Sequence, residues 1–263
     1  MAKVTVLTSG KGGVGKTTCA ANIGIQLSMM GNKVLVIDAD IGLRNLDMVL
    51  GFEEMISYNI VDVIMGNVPT ESALISHSRY PNFYLLPASN SATTEVITPN
   101  KMLSLVNTLR DDFDYILIDS PAGIENGFYS AVAPSDEAIV VVNPEVSSIR
   151  DADRVTEILK EYKDLTVKII INRANKKMMD SGETVSVEDI TDILAAELLG
   201  IIPEDKNVVI SSNRGLPVTG TSSPSAAAIR NIAMRLTGQK VEFTELQEKE
   251  NFFAKMSRKL MRA

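Results

Sequence analysis

The sequence predicts an α/β protein in which a doubly wound, mostly parallel sheet is flanked by helices. Three observations support this fold class. Strand-like apolar runs alternate with helical stretches through most of the 263 residues. Those runs are almost wholly apolar, as is typical of strands covered on both faces. A glycine-rich loop at residues 10–18 joins the first strand to the first helix.

The glycine-rich loop matches the phosphate-binding pattern G-x-x-x-x-G-K-[ST]. Its flanks agree with that assignment, because residues 3–8 form a predicted strand and residues 17–30 a predicted helix closed by a glycine. Glycines let backbone N–H groups surround a polyphosphate, the lysine reaches the outer phosphates, and the threonine hydroxyl binds Mg²⁺. The predicted nucleotide-binding residues of the loop are Gly10, Lys11, Gly12, Gly13, Val14, Gly15, Lys16, Thr17 and Thr18.

Aspartates end two of the predicted strands. Residues 33–38 end in Asp38, with Asp40 two positions on, and residues 115–119 end in Asp119. Carboxylates at the C-terminal ends of parallel strands lie where open α/β sheets bind ligands. The second run has the form of a Walker B strand, so Asp119 is predicted to face the metal. Turn or cap chemistry is the alternative for these carboxylates, and it suits Asp47, ahead of a short helix.

The rest of the chain up to residue 237 continues the alternation. Ser186 is a predicted N-cap, with Asp189 completing a capping box. Further strands are predicted at residues 83–87, 137–142, 166–171 and 199–202. Further helices are predicted at residues 58–65, 71–75, 100–109, 146–162, 187–196 and 221–237.

Polar residues after the later strands suggest an adenine site. Asn172 and Arg173 follow the strand at 166–171, and the Asn172 amide offers a donor and an acceptor that suit a base. Pro203 and Asp205 follow the last strand at the same sheet edge, where they would close over the base.

Composition excludes several classes of protein. A pI near 4.9 and a net charge of −7 argue against a general nucleic-acid binder. Cys19 is the only cysteine, so no disulfide framework or cysteine-ligated cluster is expected, and we predict it to be a small buried hydrophobe. His77, the only histidine, lies in a polar, loop-like stretch. Without an apolar signal segment or an 18-residue apolar run, the chain is expected in the cytosol.

Residues 248–263 differ from the rest of the chain. They carry five basic and two acidic residues, a net charge of +3, which leaves −10 for the preceding residues. At 100° per residue the large apolar side chains and most of the basic ones fall on adjacent arcs, as in a helix that lies in a membrane interface. A terminal helix docked on the body is the alternative. The predicted membrane residues are Phe252, Phe253, Lys255, Met256, Arg258, Lys259 and Leu260.

These motifs resemble the MinD/ParA family of P-loop ATPases with a deviant Walker A loop. The resemblance rests on K-G-G-V-G-K-T, D-A-D-I-G-L-R-N-L-D, D-S-P-A-G-I-E and N-P-E-V-S-S, and it extends through the tail. It implies that Lys11 reaches across a dimer interface to the partner's nucleotide. It also implies that Asp40 orients the attacking water, that Asp38 supports Mg²⁺ through water beside Thr17 and Asp119, and that Asn172 binds adenine. Lys11, Lys16 and Asp40 are then the catalytic residues.

The resemblance also implies partners. The helix at 146–162 would belong to the surface that receives a MinE-like activator and a MinC-like division inhibitor. The charges on this helix would otherwise be read as a solvated face. The expected partner-binding residues are Asn45, Glu125, Arg150, Asp151 and Asp153.

The resulting hypothesis is an ATPase domain over residues 1–247 followed by a membrane-targeting helix. ATP and Mg²⁺ would drive homodimerisation, the paired tails would bind the inner membrane, and hydrolysis would release the protein. Such a switch would help place the division septum. The chain does not fit an iron-protein reductase, because it lacks the cysteines that would bind the cluster. A biotin-pathway carboxylating synthetase is also disfavoured, because it would not need a basic amphipathic tail. A DNA-partition ATPase would need a basic body. A scaffold that retains only ATP affinity is the remaining alternative.

Overall fold

A computed structural model describes residues 1–77, 79–90, 96–243 and 246. Within them, eight strands form one sheet in the order β3-β4-β2-β5-β1-β6-β7-β8. Every neighbouring pair is parallel except β3 and β4, which are antiparallel at one edge. The strands are β1 (Lys3–Thr8), β2 (Val34–Asp38), β3 (Ile75–His77), β4 (Tyr80–Leu86), β5 (Tyr115–Asp119), β6 (Glu137–Val142), β7 (Thr166–Ala174) and β8 (Glu197–Pro203).

Helices connect the strands and cover the sheet. None in the described ranges is long and apolar enough to cross a bilayer. They are α1 (Lys16–Met29), α2 (Leu46–Leu50), α3 (Ile60–Ile64), α4 (Thr70–Ala73), α5 (Pro99–Leu109), α6 (Asn126–Val132), α7 (Val146–Lys160), α8 (Lys176–Asp180), α9 (Val187–Leu194), α10 (Lys206–Ser212) and α11 (Pro224–Leu236).

The core lies on both faces of the sheet, as the apolar strands predict. In β2, Leu35 and Ile37 pack into one buried apolar cluster, while Val34 and Val36 pack into the other. Successive side chains of a strand point to opposite faces, so a strand covered on both faces is apolar throughout. The predicted doubly wound α/β class is confirmed, and it places the carboxyl ends of β1, β2 and β5 together at one edge.

The element predictions differ from the structure at one edge of the sheet and at the ends of β7 and β8, where Asn172, Arg173 and Pro203 were predicted to follow a strand but lie within it. Bounds for β1, β5 and β6 agree, whereas Ile75, predicted at the end of a helix, lies in β3. His77 also lies in β3 and not in a loop. The three residues of β3 are extended because they pair antiparallel with β4 at the sheet edge. The local sequence pattern does not indicate this pairing. Helices α6, α8 and α10 were not predicted, because each is only five to seven residues long.

The predicted cap at the start of α9 is confirmed in part. Asp189 N–H donates to the Ser186 hydroxyl oxygen at 3.1 Å, which makes Ser186 the N-cap. The Ser186 hydroxyl in turn donates to the Asp189 carboxylate at 2.7 Å. The acidic side chain therefore bonds to the capping hydroxyl and not to the Ser186 backbone N–H that a complete capping box uses.

The described chain ends against the last helix and strand. The Arg235 guanidinium of α11 donates to the carbonyls of Val241 and Glu242 and lies 4.1 Å from the centroid of the Phe243 ring. It also donates to the carbonyl of Leu199 in β8, at 3.0 Å. The segment before the tail is thereby joined to the edge of the sheet. The predicted membrane residues at 252–260 lie outside the described residues, and the domain boundary at 247 stays a prediction.

Candidate nucleotide-binding site

The glycine-rich loop lies between β1 and α1 and is built to face an anion. Gly13 and Gly15 adopt φ angles of 79° and 96°, which other residues rarely take. The first helical N–H bond of α1 is made by Cys19 to the Gly15 carbonyl. The backbone N–H groups of residues 12–18 donate to no other described protein group. Those unpaired donors, together with the positive end of the helix dipole, make an anion site.

The start of the loop packs against helix α7. A Cβ atom added to Gly10 would lie 2.2–2.6 Å from the carbonyl group and Cβ of Asp151, closer than real atoms approach. Position 10 must therefore be glycine because α7 crosses there, a reason separate from phosphate contact.

A buried ion pair lies beneath the loop. Lys16 Nζ donates to Asp119 Oδ1 at 2.9 Å, with both side chains almost wholly buried, and Asp119 Oδ2 has no hydrogen-bond partner. Asp38 is the register partner of Asp119 on the neighbouring strand β2. Burial, followed by the negative charge of Asp119, raises the pKa of Asp38 to about 8. The site therefore holds more carboxylate than its single buried lysine can neutralise.

Asp40 lies above this pair, half-buried, and its N–H donates to Asp38 Oδ1 at 3.0 Å. Burial, opposed by the charge of Lys16, raises the pKa of Asp40. Cys19, as predicted, is buried, and burial raises the pKa of its thiol to about 12, so it is unreactive at neutral pH.

The residues present fit Mg²⁺ bound together with a nucleotide. No group of three or more acidic, histidine or cysteine side chains in the described ranges could hold a metal alone. Mg²⁺ on nucleotides takes phosphate oxygens and water, with only one or two protein oxygens. The Thr17 hydroxyl at the start of α1 and the unpaired Asp119 oxygen suit that need, and Asp38 is adjacent. Of the predicted metal residues, Asp38 and Asp119 are thus neighbours in the sheet and Thr17 lines the cavity, and their binding of the metal stays a prediction.

A cavity of about 960 Å³ opens above the loop, within the size range of ligand sites. It is lined by the loop from Gly12 to Thr18, by the predicted residues Asp40, Asn45 and Arg173, and by two stretches that sequence reasoning missed. These missed stretches lie around α2 and at residues 212–215. They meet where Gly51 and Gly215 pack backbone to backbone. The missed lining residues of these two stretches are Leu43, Met48, Val49, Gly51, Glu53, Ser212, Asn213, Arg214 and Gly215, and Ser9, Pro121 and Ala122 were also missed.

The sequence contains a partial signal for the two missed stretches, which form the rim of the cavity around α2 and at residues 212–215. The stretch S-S-N-R-G reads as a turn, and both Gly51 and Gly215 have positive φ angles. Their contact across 164 positions of chain follows only from the folded arrangement of α2 and α10.

Three of the predicted adenine residues do not line this cavity. Asn172 is buried, and its Nδ2 donates to the Val14 carbonyl at 2.7 Å. The Pro203 carbonyl accepts from the Ser225 hydroxyl at 3.2 Å. Burial would raise the pKa of Asp205, but hydrogen bonds from Asn207 and Ser225 outweigh it and lower that pKa. Base recognition by Asn172, Pro203 and Asp205 stays a prediction.

Lys11, the other lysine of the loop, does not line the cavity. Its Nζ donates to Glu145 Oε2 at 2.9 Å and to the Ser147 hydroxyl at 3.0 Å, at the start of α7. Both partners are exposed. The ammonium group is therefore held outside the chain's own phosphate site by a solvated contact.

The predicted partner-binding residues lie around this region. Asn45 is exposed on the cavity rim, and Glu125 is exposed just before α6. Arg150 is exposed on α7, whereas Asp151 and Asp153 are half-buried there. Their part in partner binding stays a prediction.

The fold and the loop together define a P-loop nucleotide-binding protein. A family model described as an AAA domain matches residues 2–173. The septum site-determining protein MinD of Synechocystis is 46% identical over 253 residues, which cover 95% of each chain.

Solved structures agree with the sequence comparison. The chain resembles a protein in the MinC:MinD cell division complex of Aquifex aeolicus, with a TM-score of 0.87 and 50% identity over 94% of this chain and 100% of that one. It also resembles MinD of Pyrococcus horikoshii in complex with Mg-ADP, with a TM-score of 0.81 and 32% identity over 90% and 96%. The chain belongs to the MinD family of septum site-determining proteins.

Proposed function

We propose that this chain is an ATP-dependent membrane switch that helps place the division septum. ATP and Mg²⁺ bind at the loop, two copies dimerise, and hydrolysis returns the chain to its monomeric form. Support for the nucleotide comes from the unpaired N–H donors of the loop and from the relative in complex with Mg-ADP. Support for the cell-division role comes from the septum site-determining relatives.

We propose the following roles in hydrolysis. Lys16 would exchange its contact with Asp119 for the β- and γ-phosphates, and the Thr17 hydroxyl would hold Mg²⁺. Asp119 and Asp38 would support the metal, whose positive charge would offset the excess of carboxylate in the ligand-free site. Asp40, half-buried on the cavity wall, orients the attacking water.

The observation that carries the proposal is the placement of Lys11. A loop lysine outside its own phosphate cavity is free to serve a second nucleotide, because its contacts with Glu145 and Ser147 are solvated and cost little to break. Two apolar side chains are exposed on this part of the surface, Leu43 on the cavity wall and Val146 beside Glu145 in the chain. Leu43 is 65% exposed and Val146 is 67% exposed. A second copy that buries them would bring Lys11 to the partner's phosphates.

The tail makes dimerisation a membrane signal. One amphipathic helix with four large apolar side chains, plus about 1 kcal/mol per basic residue at an anionic surface, binds weakly. Two linked tails gain avidity of roughly 10²-fold. The residues before the tail carry a net charge of −10, so an anionic membrane surface repels them and attracts the tail. We propose a cytoplasmic monomer and a dimer at the inner membrane.

Proposed partners are a MinC-like division inhibitor and a MinE-like activator. The first is supported by the relative in the MinC:MinD complex. We propose that the activator binds α7, and the contacts of that helix with the loop at Gly10 and Lys11 support this choice. Binding there would raise the slow basal ATPase rate. Asn45, Glu125, Arg150, Asp151 and Asp153 are the residues to test.

The test of dimerisation compares Lys11→Ala with Lys163→Ala, a matched change of an exposed lysine beyond α7. Light scattering after size exclusion is measured with ATP and with ADP. Wild type and Lys163→Ala are expected to double their mass with ATP only, whereas Lys11→Ala stays monomeric and loses its ATPase activity. If Lys11→Ala dimerises and hydrolyses ATP normally, the mechanism is wrong.

The test of the membrane target is cosedimentation of the full chain with anionic vesicles or with duplex DNA, each with ATP and with ADP. We expect vesicle binding with ATP only. A chain that ends at Gln247 should dimerise with ATP but remain in the supernatant. DNA binding without vesicle binding would instead identify a partition ATPase. An ATPase rate that lipid does not stimulate would favour the scaffold alternative.

A further inference from the structure

Two asparagine side chains meet at one peptide group of the phosphate loop. Asn172 Nδ2 donates to the Val14 carbonyl oxygen at 2.7 Å. The Asn143 amide, with its nitrogen turned toward the acceptors around it, donates to the same oxygen and to the Asn172 backbone carbonyl, each at 3.2 Å. All three residues are buried. The Asn172 amide comes from β7 and the Asn143 amide from the position after β6. The Val14 carbonyl is therefore hydrogen-bonded to the carboxyl ends of these two strands.

This tie sets the direction of the next N–H group. A peptide bond is planar and trans, so its carbonyl oxygen and its N–H point in opposite directions. With the Val14 carbonyl held toward the sheet, the Gly15 N–H points away from it. Gly15 lines the cavity, and its N–H donates to no described protein group. The asparagine contacts therefore aim a free donor at the place where a phosphate would bind.

The loop needs such a restraint because of its glycines. Gly15 has a φ angle of 96°, and Gly12 and Gly13 precede Val14, so rotation of this peptide meets little steric resistance. A rotated peptide would present its carbonyl oxygen, and not its N–H, to the phosphates. The Asn172 amide also packs so closely against residue 15 that a side chain there would not fit. A Cβ atom on Gly15 would lie 2.3 Å from Asn172 Nδ2, so glycine at 15 and asparagine at 172 are matched.

We propose that Asn143 and Asn172 are positioning residues for the polyphosphate. They hold the Val14 carbonyl out of the cavity, which keeps the Gly15 N–H directed at the phosphates. Asn143 was not predicted to take part in the site. Asn172 was predicted to bind adenine, and the role proposed here concerns the phosphates and does not depend on that contact. The inference rests on the proposed binding of a nucleotide at this loop.

The experiment measures binding of ATP and of inorganic tripolyphosphate, both with Mg²⁺, by calorimetry on the full chain. Asn143→Leu and Asn172→Leu keep the side-chain volume but remove the amide. We expect roughly 10-fold weaker tripolyphosphate binding for Asn172→Leu and about 5-fold for Asn143→Leu, because the Gly15 N–H is then no longer held toward the charged ligand and its hydrogen bond is weakened or lost. ATP affinity should fall at least as far.

The matched control is Asn32→Ala. Asn32 also donates its side-chain amide to a backbone carbonyl, that of Leu27 at 3.0 Å, but at the far end of α1. It should bind tripolyphosphate like the wild type. Circular dichroism confirms that each variant is folded at the binding temperature. Should Asn172→Leu fail to fold, Asn143→Leu carries the test, because it contacts the same oxygen.

The outcomes separate the two levels of the proposal. Tripolyphosphate affinity within twofold of wild type in both variants overturns the positioning role. A loss of ATP affinity alone assigns Asn172 to the base and also overturns it. If the wild type binds neither ligand, the proposed nucleotide function fails first, and the positioning role fails with it.

Discussion

The two lysines of the phosphate loop form ion pairs of equal length in opposite surroundings. Lys16 lies 2.9 Å from Asp119, with side chains 7% and 1% exposed, and Lys11 lies 2.9 Å from Glu145, with side chains 31% and 56% exposed. The distance is the same, yet water screens only the second pair. Burial, and not geometry, decides how strongly each pair resists separation.

The difference suits the two lysines to different tasks. Lys16 cannot leave Asp119 unless another cation replaces it, because the Asp119 carboxylate would be left buried and unpaired. A nucleotide that arrives with Mg²⁺ supplies that charge. Lys11 can leave Glu145 at little cost, because both partners are then solvated. In the proposed function, the buried pair would respond to the ligand and the exposed pair to a second protein chain.

Replacement of Lys16 should produce the largest effect. Lys16→Met removes the cation that pairs with Asp119 and keeps most of the side-chain volume. We expect a loss of about 3 kcal/mol in the free energy of unfolding without ligand, since a buried charge is left unpaired. Urea unfolding at pH 8 measures it. A change below about 0.5 kcal/mol would show that solvent already reaches Asp119.

The pH dependence of the free energy of unfolding tests whether the site holds more buried carboxyl groups than Lys16 can neutralise. The folded-state pKa of Asp38 is about 8, against 3.8 for the ordinary group, so the folded state binds more protons between these values. Stability without metal or nucleotide should therefore fall as pH rises from about 4 to 8, by at most ~1.4 kcal/mol per pH unit from this group. Asp38→Asn should flatten that slope.

The control for this prediction is Asp164→Asn, an exposed carboxylate that should leave the slope unchanged. Unfolding is followed in urea with a chelator present, at pH 5, 6, 7 and 8. An Asp38→Asn slope equal to that of the wild type would mean that Asp38 is ionised in the folded protein across this range.

Replacement of Lys11 should produce the smallest effect on stability. Lys11→Met breaks the contacts with Glu145 and Ser147, but we expect a change of less than about 0.5 kcal/mol in the free energy of unfolding. Added salt should reduce even that change. A loss near that of Lys16→Met would show that the Lys11 pair is structural and would remove the contrast between the two lysines.

Much of the fold and half of the site were predictable from local pattern. The strands that carry the loop, Asp38 and Asp119 were predicted at or within one residue of their bounds, because each is a buried apolar run that stops at a polar residue. The edge strand β3 and the cavity rim at 212–215 were not. Strand β3 is only three residues long and so carries no periodic signal, and the rim at 212–215 packs against Gly51, far away in the chain.

By itself, the sequence determined the phosphate loop, the strand ends around it and the family to which the chain belongs. These depend on residues close together in the chain, where backbone preferences and spacing act directly. Only the tertiary structure decided the contacts of Lys11 with Glu145, 134 positions away, and of Asn172 with Val14, 158 positions away. Such contacts depend on the order of strands in the sheet, which places β6, β7 and α7 beside the loop.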